Sequence, residues 1–340
     1  MKIRKQSYFV TGAVLLILLM SNSCSQPSSD PVSQLDTWLD RVELEVPFTV
    51  VNDTELTARL DHNANNYLID SSTSEMLEGS AISGAVGNVT LMKGVIDTLK
   101  STLTEQPVET NQIVTINKVA YTMPDGDDNP DNDFYIGLNK VKVVYDDSSF
   151  AVYIIWDFRV GPDITDMVSG PFYAYLDVVQ EDNGSNTTTI VSNSGEDGQN
   201  YFNYNDNSGI LIYKSEDDTI DDDGSDDITD HDYLIYTPTD LAMGYGHLRY
   251  IRLTSDPAKD FLVIQYDSEG IYLHEDDESE TITLYWDIDT GYTGEFTGSL
   301  PASMSSLVSG WITPATETIA TDLSIQALLP AIELVVVDLL

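Results

Sequence analysis

The residues of this chain best suited to chemistry are tyrosines and carboxylates at alternate positions of two short apolar runs. In PFYAYLDVV, Tyr173, Tyr175 and Asp177 alternate with Phe172, Ala174, Leu176 and Val178. In ITLYWDID, Tyr285, Asp287 and Asp289 alternate with Leu284, Trp286 and Ile288. Alternate side chains of a strand share a face, so each run sets tyrosine beside aspartate on the face away from its apolar set. A pyranose asks for that mixture, because its flat apolar side stacks on an aromatic ring while its hydroxyls bond to carboxylates. Cross-strand tyrosine pairing on an ordinary exposed sheet gives the same pattern without a ligand.

The carboxylates open a second chemistry. Asp287 and Asp289 precede the glycines of DTGYTG, and Asp125, Asp127 and Asp131 lie within MPDGDDNPDNDF. Both are sets of hard oxygen donors of the kind Ca²⁺ takes, although neither follows the order of the twelve-residue EF-hand loop. The segment from Ser215 to Asp232, SEDDTIDDDGSDDITDHD, is denser still, with carboxylates at more than half of its positions. Without counterions such a run repels itself and is expected to be a loop.

Other chemistries are poorly served. His62, His231, His247 and His274 are scattered, with no HxxxH or HExxH pair to build a zinc site. No phosphate loop and no GxSxG elbow is present, and nothing singles out two carboxylates for glycoside hydrolysis. With 57 acidic against 15 basic residues the formal net charge is -42, which disfavours nucleic acid and anionic lipid headgroups as partners.

The N-terminus reads as an export signal. Lys2, Arg4 and Lys5 precede an apolar run from Ala13 to Met20 that is too short to span a bilayer and ends in SNSC. Cys24 is the sole cysteine, and its setting resembles a bacterial lipobox, with Ser21 where Leu is usual. That resemblance implies lipidation of Cys24 and, with Ser25 following it, a place in the cell envelope as an outer-membrane lipoprotein facing the periplasm or the cell surface. No second cysteine exists, so disulfides and thiolate metal sites are excluded.

The elements that must position these groups follow from periodicity. Between residues 25 and 112 a polar tether leads into two helical stretches, SQLDTWLDRV and NVTLMKGVIDTLKSTLTEQP. In the second, Val89, Met92, Val95, Ile96, Leu99 and Leu103 form one stripe, Asn88 is placed to cap and Pro107 to close. From Ile113 the period falls to two, in short runs rich in Val, Ile, Tyr and Phe separated by Asp, Gly, Asn and Pro. No long helix interrupts them, so the expected fold is mainly β, an antiparallel β-sandwich preceded by a short helical segment. Sliding the chain along itself until Asp146 meets Asp256 lays LNKVKVVYDDSSFAVYIIW over LRYIRLTSDPAKDFLVIQY, then Tyr175 over Tyr285 and Asp177 over Asp287. This internal match suggests two related β units, 113–200 and 201–310, before a C-terminal segment 311–340 that ends in the strand-like AIELVVVDLL.

The turn aspartate Asp146, the strand Phe150 to Trp156, YLDV from Tyr175, YWDIDTGYTG from Tyr285 and the Asp-Gly of MPDGDD together resemble family 9 carbohydrate-binding modules and DOMON-type domains. The chain departs from that pattern in lacking a tryptophan soon after Gly126. The resemblance implies a β-sandwich that binds an extracellular glycan without catalysis; strand parity puts Tyr173, Tyr175, Asp177, Tyr285 and Asp287 at the ligand, and the oxygen donors of the acidic loops are expected to take Ca²⁺. A structural or interaction component of the envelope, touching protein, is the alternative. A non-covalent haem domain, drawing on Met167, Met243 and His247, is a third.

Overall fold

A computed structural model describes residues 31–45, 81–106, 108–123, 134–160, 167–193, 198–220, 227–242, 245–253, 259–268, 270–276, 281–287, 291–295 and 302–309. The chain is mainly β and antiparallel, with short helical structure early, as its periodicity predicts. Among the described residues, helices α1 (Pro31–Leu39) and α2 (Ala81–Glu105) precede thirteen strands. These are β1 (Gln112–Met123), β2 (Phe134–Tyr145), β3 (Phe150–Val160), β4 (Met167–Gln180), β5 (Asn186–Asn193), β6 (Gly198–Asn205) and β7 (Leu211–Ile220). They continue as β8 (Asp227–Asp240), β9 (Tyr245–Leu253), β10 (Lys259–Tyr266), β11 (Gly270–Asp276), β12 (Thr281–Asp287) and β13 (Gly291–Glu295), and helix α3 (Ala302–Ser309) follows.

All thirteen strands join one sheet in sequence order, each pairing antiparallel with its chain neighbours. The boundary expected between residues 200 and 201 therefore falls inside β6, and the hydrogen-bonded ladder runs through it unbroken. The internal match that pairs Asp146 with Asp256 holds for two strands, laying β2 and β3 over β9 and β10. It then fails in topology. Tyr175 on β4 lies opposite β3, whereas Tyr285 lies on β12, with β11 between it and β10. One extra antiparallel strand reverses the chain direction, so the third pair of matching segments runs in opposite senses.

The apolar stripe of α2 is the centre of the core. Val89, Met92, Val95, Ile96, Leu99 and Leu103 are all buried, in one cluster with inward residues of β2 to β10. The helix approaches β1 and β2 on one side and β7 and β8 on the other, so the sheet arches over it. Asn88 is not the cap: it lies about two turns inside the helix, and its amide donates to the Tyr213 hydroxyl at 2.8 Å. Tyr213 in turn donates to Asn200 Oδ1 at 2.9 Å, so the Asn88 side chain serves a buried polar chain rather than the helix end.

Helix α1 docks on the β2–β3 turn. Trp38 stacks on Phe150, with ring centroids 5.9 Å apart, and its indole N–H donates to the Asp146 carbonyl at 2.9 Å. Asp146 itself folds the turn, its Oδ1 accepting from the Ser148 and Ser149 amides at 2.7 and 2.9 Å. Those bonds hold its carboxyl below the usual range. Among the described residues no helix is long and apolar enough to cross a membrane.

The acidic run from Ser215 to Asp232 is largely strand rather than loop. It forms the far ends of β7 and β8, with Glu216 opposite His231 and Asp217 opposite Asp230. Tyr250 and Ser215 both donate to Asp232, at 2.6 and 3.2 Å, which explains how a carboxylate is tolerated on the inward side there.

Candidate functional site

The face of the sheet turned away from α2 carries the tyrosines. In β4, Phe172, Ala174, Leu176 and Val178 are buried while Tyr173, Tyr175 and Asp177 are part-exposed, the alternation that the sequence implies. Register extends this one strand into a track. Lys142 of β2 lies opposite Tyr153 of β3, Tyr153 opposite Tyr175, Tyr175 opposite Val191 of β5, Val191 opposite Tyr201 of β6, and Tyr201 opposite Lys214 of β7. Tyr153, Tyr173, Tyr175 and Tyr201 pack around the buried pair Ile155 and Val191, a small cluster separate from the main core. Tyr153 and Tyr175 meet at 5.1 Å between centroids, tilted by 53°. Such an aromatic pair contributes about 1 kcal/mol beyond its buried area.

Polar rows flank the track. On one side Asp177 lies opposite Thr189, and Thr189 opposite Asn203, whose amide donates to the Thr189 hydroxyl at 3.1 Å. On the other side Tyr173, Asn193 and Gln199 follow one another, the Tyr173 amide donating to Asn193 Oδ1 at 3.1 Å. A row of rings between rows of hydroxyl, amide and carboxyl groups is an amphipathic strip.

Electrostatics mark the same place. Burial pushes the Asp177 carboxyl up to about 6, the effect of desolvating a carboxylate among Ala151, Tyr175 and Thr189 with no cation opposite it. Burial, then Asp177, then Tyr153 push the Tyr175 hydroxyl up to about 12, so it is a neutral donor at any ordinary pH. At the end of the track Lys214 Nζ lies 5.5 Å from the ring centroids of both Tyr201 and Tyr233, a cation held over two π faces.

A buried ion pair closes the outer face near the end of β3. Arg159 donates to both Asp157 oxygens, at 2.7 and 3.1 Å, and to Asn139 Oδ1 at 2.6 Å, while the Asn139 amide donates to Asp157 Oδ2 at 2.8 Å. Gly137 lies opposite Asp157, and a Cβ there would run into Asp157 Oδ1 and Arg159 Nε. Both charges are satisfied internally, so this network anchors the strand edge beside the track.

The other expected site residues do not join Tyr173, Tyr175 and Asp177. Tyr285 and Asp287 lie on β12, opposite Tyr272 and Gly270. That is eight strands from β4, about 38 Å along the sheet at the usual strand spacing. The two tyrosine-aspartate sets therefore sit on different strands of the meander, with β5 to β11 between them in the sheet order. Asp289, Asp125, Asp127, Asp131 and Cys24 lie outside the described residues, as do Pro107, Met243, residues 221–226 and the C-terminal segment 311–340. Among the described residues no group of three His, Cys, Asp or Glu side chains is placed to hold a metal ion. Met167 lies on β4 and His247 on β9, five strands along the sheet order.

Tyr153, Thr189, Tyr201 and Asn203 are not legible as site residues in the sequence. The alternation of FAVYIIW already carries Tyr153 on the outer side, but strands β5 and β6, NTTTIVSN and GQNYFNYN, are rich in Asn and Thr and read as loops. No family model, no curated protein and no solved structure matches the chain.

Proposed function

We propose that this is an exported, lipid-anchored binding protein of the cell envelope whose ligand is an extracellular glycan lying across β3 to β6. The observation that carries the reading is the part-exposed row Tyr153, Tyr175 and Tyr201, held in register between polar rows. Pyranose rings stack on aromatic faces and direct hydroxyls sideways, where Asp177, Thr189 and Asn203 supply acceptors and donors. Adjacent strands are ~4.8 Å apart, so Tyr175 and Tyr201 are separated by about 10 Å, which suits successive rings of an extended chain.

The test is retention of the full mature chain on insoluble polysaccharides, with Tyr175→Ala and Tyr201→Ala compared with wild type. Each is expected to weaken retention about tenfold, the loss of roughly 1.4 kcal/mol of stacking, with the circular dichroism spectrum unchanged. Equal retention by both variants overturns the reading. If no sugar is retained and crosslinking in cells recovers one reproducible protein, the same face serves a protein partner.

The acidic loops are proposed to take Ca²⁺, on the strength of their oxygen donors and of the paired acids Asp217 and Asp230 at the far end of the β7–β8 hairpin. A ligand that binds only the folded state raises its melting temperature by mass action. Millimolar Ca²⁺ is therefore expected to raise the melting temperature relative to EDTA and to slow amide exchange in Asp217 and Asp230, and the absence of both changes removes the metal.

A further inference from the structure

We propose that the glycan is anionic, a polysaccharide bearing carboxylate or sulfate groups, gripped by lysines at both ends of the tyrosine track. This rests on the glycan reading and specifies its substrate class. Although acids outnumber bases by 57 to 15, Lys140, Lys142, Lys214 and Arg249 lie on this one face besides the paired Arg159. Lys142 continues the tyrosine row on β2 and Lys214 continues it on β7. Lys140 lies opposite Ile155, in the row that holds Tyr173, and Arg249 lies opposite Ile235, one row from Tyr233.

From Lys142 to Lys214 is five strand spacings, about 24 Å along the sheet. The two ammonium groups thus stand one strand beyond Tyr153 and one strand beyond Tyr201, bracketing the rings between them. A neutral glycan makes no use of cations there, whereas a chain with acidic substituents stacks its rings between them and pairs its charges at the ends. Lys214 is also pre-positioned, since its contacts with Tyr201 and Tyr233 restrict a side chain that otherwise gives up much rotamer freedom on binding.

The net charge of -42 does not oppose this at contact distance. At physiological ionic strength the Debye length is ~8 Å, so exposed acids elsewhere on the molecule are screened from a chain lying on the track. In the three rows between β2 and β7 the acids are Asp177 and Glu216, against Lys140, Lys142 and Lys214. Glu216 ends its row on β7, two residues from Lys214 and opposite Gln199 and His231, so the cations outnumber the acids by three to two in these rows. The overall charge instead disfavours bulky polyanions that would touch the rest of the surface.

The experiment compares dextran with dextran sulfate, which share one backbone, and adds alginate as a carboxylate chain, with affinity measured in low and in high NaCl. Dextran sulfate or alginate is expected to bind the mature chain at least tenfold more tightly than dextran, with the advantage shrinking in high salt. Which of the two polyanions is preferred identifies sulfate or carboxylate as the partner of the lysines. The double variant Lys142→Gln and Lys214→Gln is expected to lose that advantage while any binding of dextran persists. Binding of dextran equal to that of both polyanions overturns the anionic assignment and leaves the glycan reading in place. Polyanion binding that the double variant does not weaken also overturns it, by placing the contact elsewhere. Retention of none of the three, with none on insoluble polysaccharides, removes both.

Discussion

The outer face of this sheet has two halves that share an alternation and differ in cover. From β3 to β6, Tyr153, Tyr173, Tyr175 and Tyr201 are part-exposed around the small apolar patch of Ile155 and Val191. From β8 to β11 many outward positions are buried, Ile251 and Val263 fully and Tyr233, Gln265, Tyr272 and His274 nearly so, while Ile235, His247 and Arg249 stay part-exposed. The inward positions of the same strands, Leu248, Tyr250, Leu262 and Ile264, are buried as well. The centre of β10, Leu262 to Gln265, is thus covered on both sides, and α3, whose Met304 is fully buried, packs against that strand. Period-two patterning marks which residues share a face, but what covers that face depends on elements far along the chain. One half is built for stability, and the other leaves aromatic surface within reach of a ligand.

The largest effect that separates the halves is at Val263. Val263→Asp places a charge in a site closed on both sides, which costs about 5 kcal/mol, comparable with the whole stability of many domains. It is expected to abolish soluble expression, and Val263→Ala, about 2 kcal/mol, gives a folded variant with a lower melting temperature. Tyr175→Ser, on the open half, is expected to lower stability by only about 1 kcal/mol while weakening glycan retention about tenfold. Equal drops in melting temperature for Val263→Ala and Tyr175→Ser would erase the distinction.

Much of this fold is legible in the sequence, because its strongest signals are local. The stripe of α2 and the strand runs β1 to β4 and β7 to β12 follow from spacing alone, and the outward orientation of Tyr173, Tyr175 and Asp177 follows from parity. Strands β5 and β6 do not, since Thr187, Thr189, Asn203 and Asn205 have the composition of turns. Their strand form is supported by neighbours on both edges and by side-chain bonds such as Asn205 Nδ2 to Thr187 Oγ1 at 3.0 Å. Without β6 there is no Tyr201 on the face, and so no measure of how long the track is. The cations are harder still, because Lys142 and Lys214 are far apart in sequence and become ends of one row only through five successive registers. The internal match about Asp146 and Asp256 covers two strands and is then displaced by β11, whose run is legible but whose pairing between β10 and β12 is not.

The open half has its own buried strip, and it sharpens the contrast from the other direction. Asp157 and Arg159 are nearly inaccessible and are bound to each other and to Asn139. Asp157→Asn leaves the guanidinium buried without its counter-charge, and a melt is expected to show a loss of about 3 kcal/mol. Gly137→Ala forces its new methyl against the same pair and is expected to cost about 1–3 kcal/mol. Neither touches the tyrosine row, so glycan retention per folded molecule is expected to stay at the wild-type level. Loss of retention in both would mean that this network positions the track.

The smallest effect is the most informative about the track itself. Asp177 titrates at about 6 in the folded chain, against an ordinary value of 3.8, because burial disfavours its charged form. Below about pH 4 the folded and unfolded chains both hold the proton, and the aspartate stabilises neither. Between the two values the folded state holds a proton that the unfolded state has released, so stability falls as pH rises towards 6 and is level above it. A shift of about two units would be worth about 3 kcal/mol if the site were closed to water, and contact with solvent reduces this to about 1–2 kcal/mol. Asp177→Asn is accordingly expected to raise the stability of the chain at about pH 7 and to leave it unchanged at about pH 3.5, as read from urea melts at both values. The substitution also removes an acid one row from the tyrosines, so dextran sulfate is expected to bind it more tightly than wild type at neutral pH and equally once Asp177 is protonated. A stabilised variant with unchanged polyanion affinity would place the chain of charges away from Asp177, towards the side of the track that holds Tyr173 and Lys140.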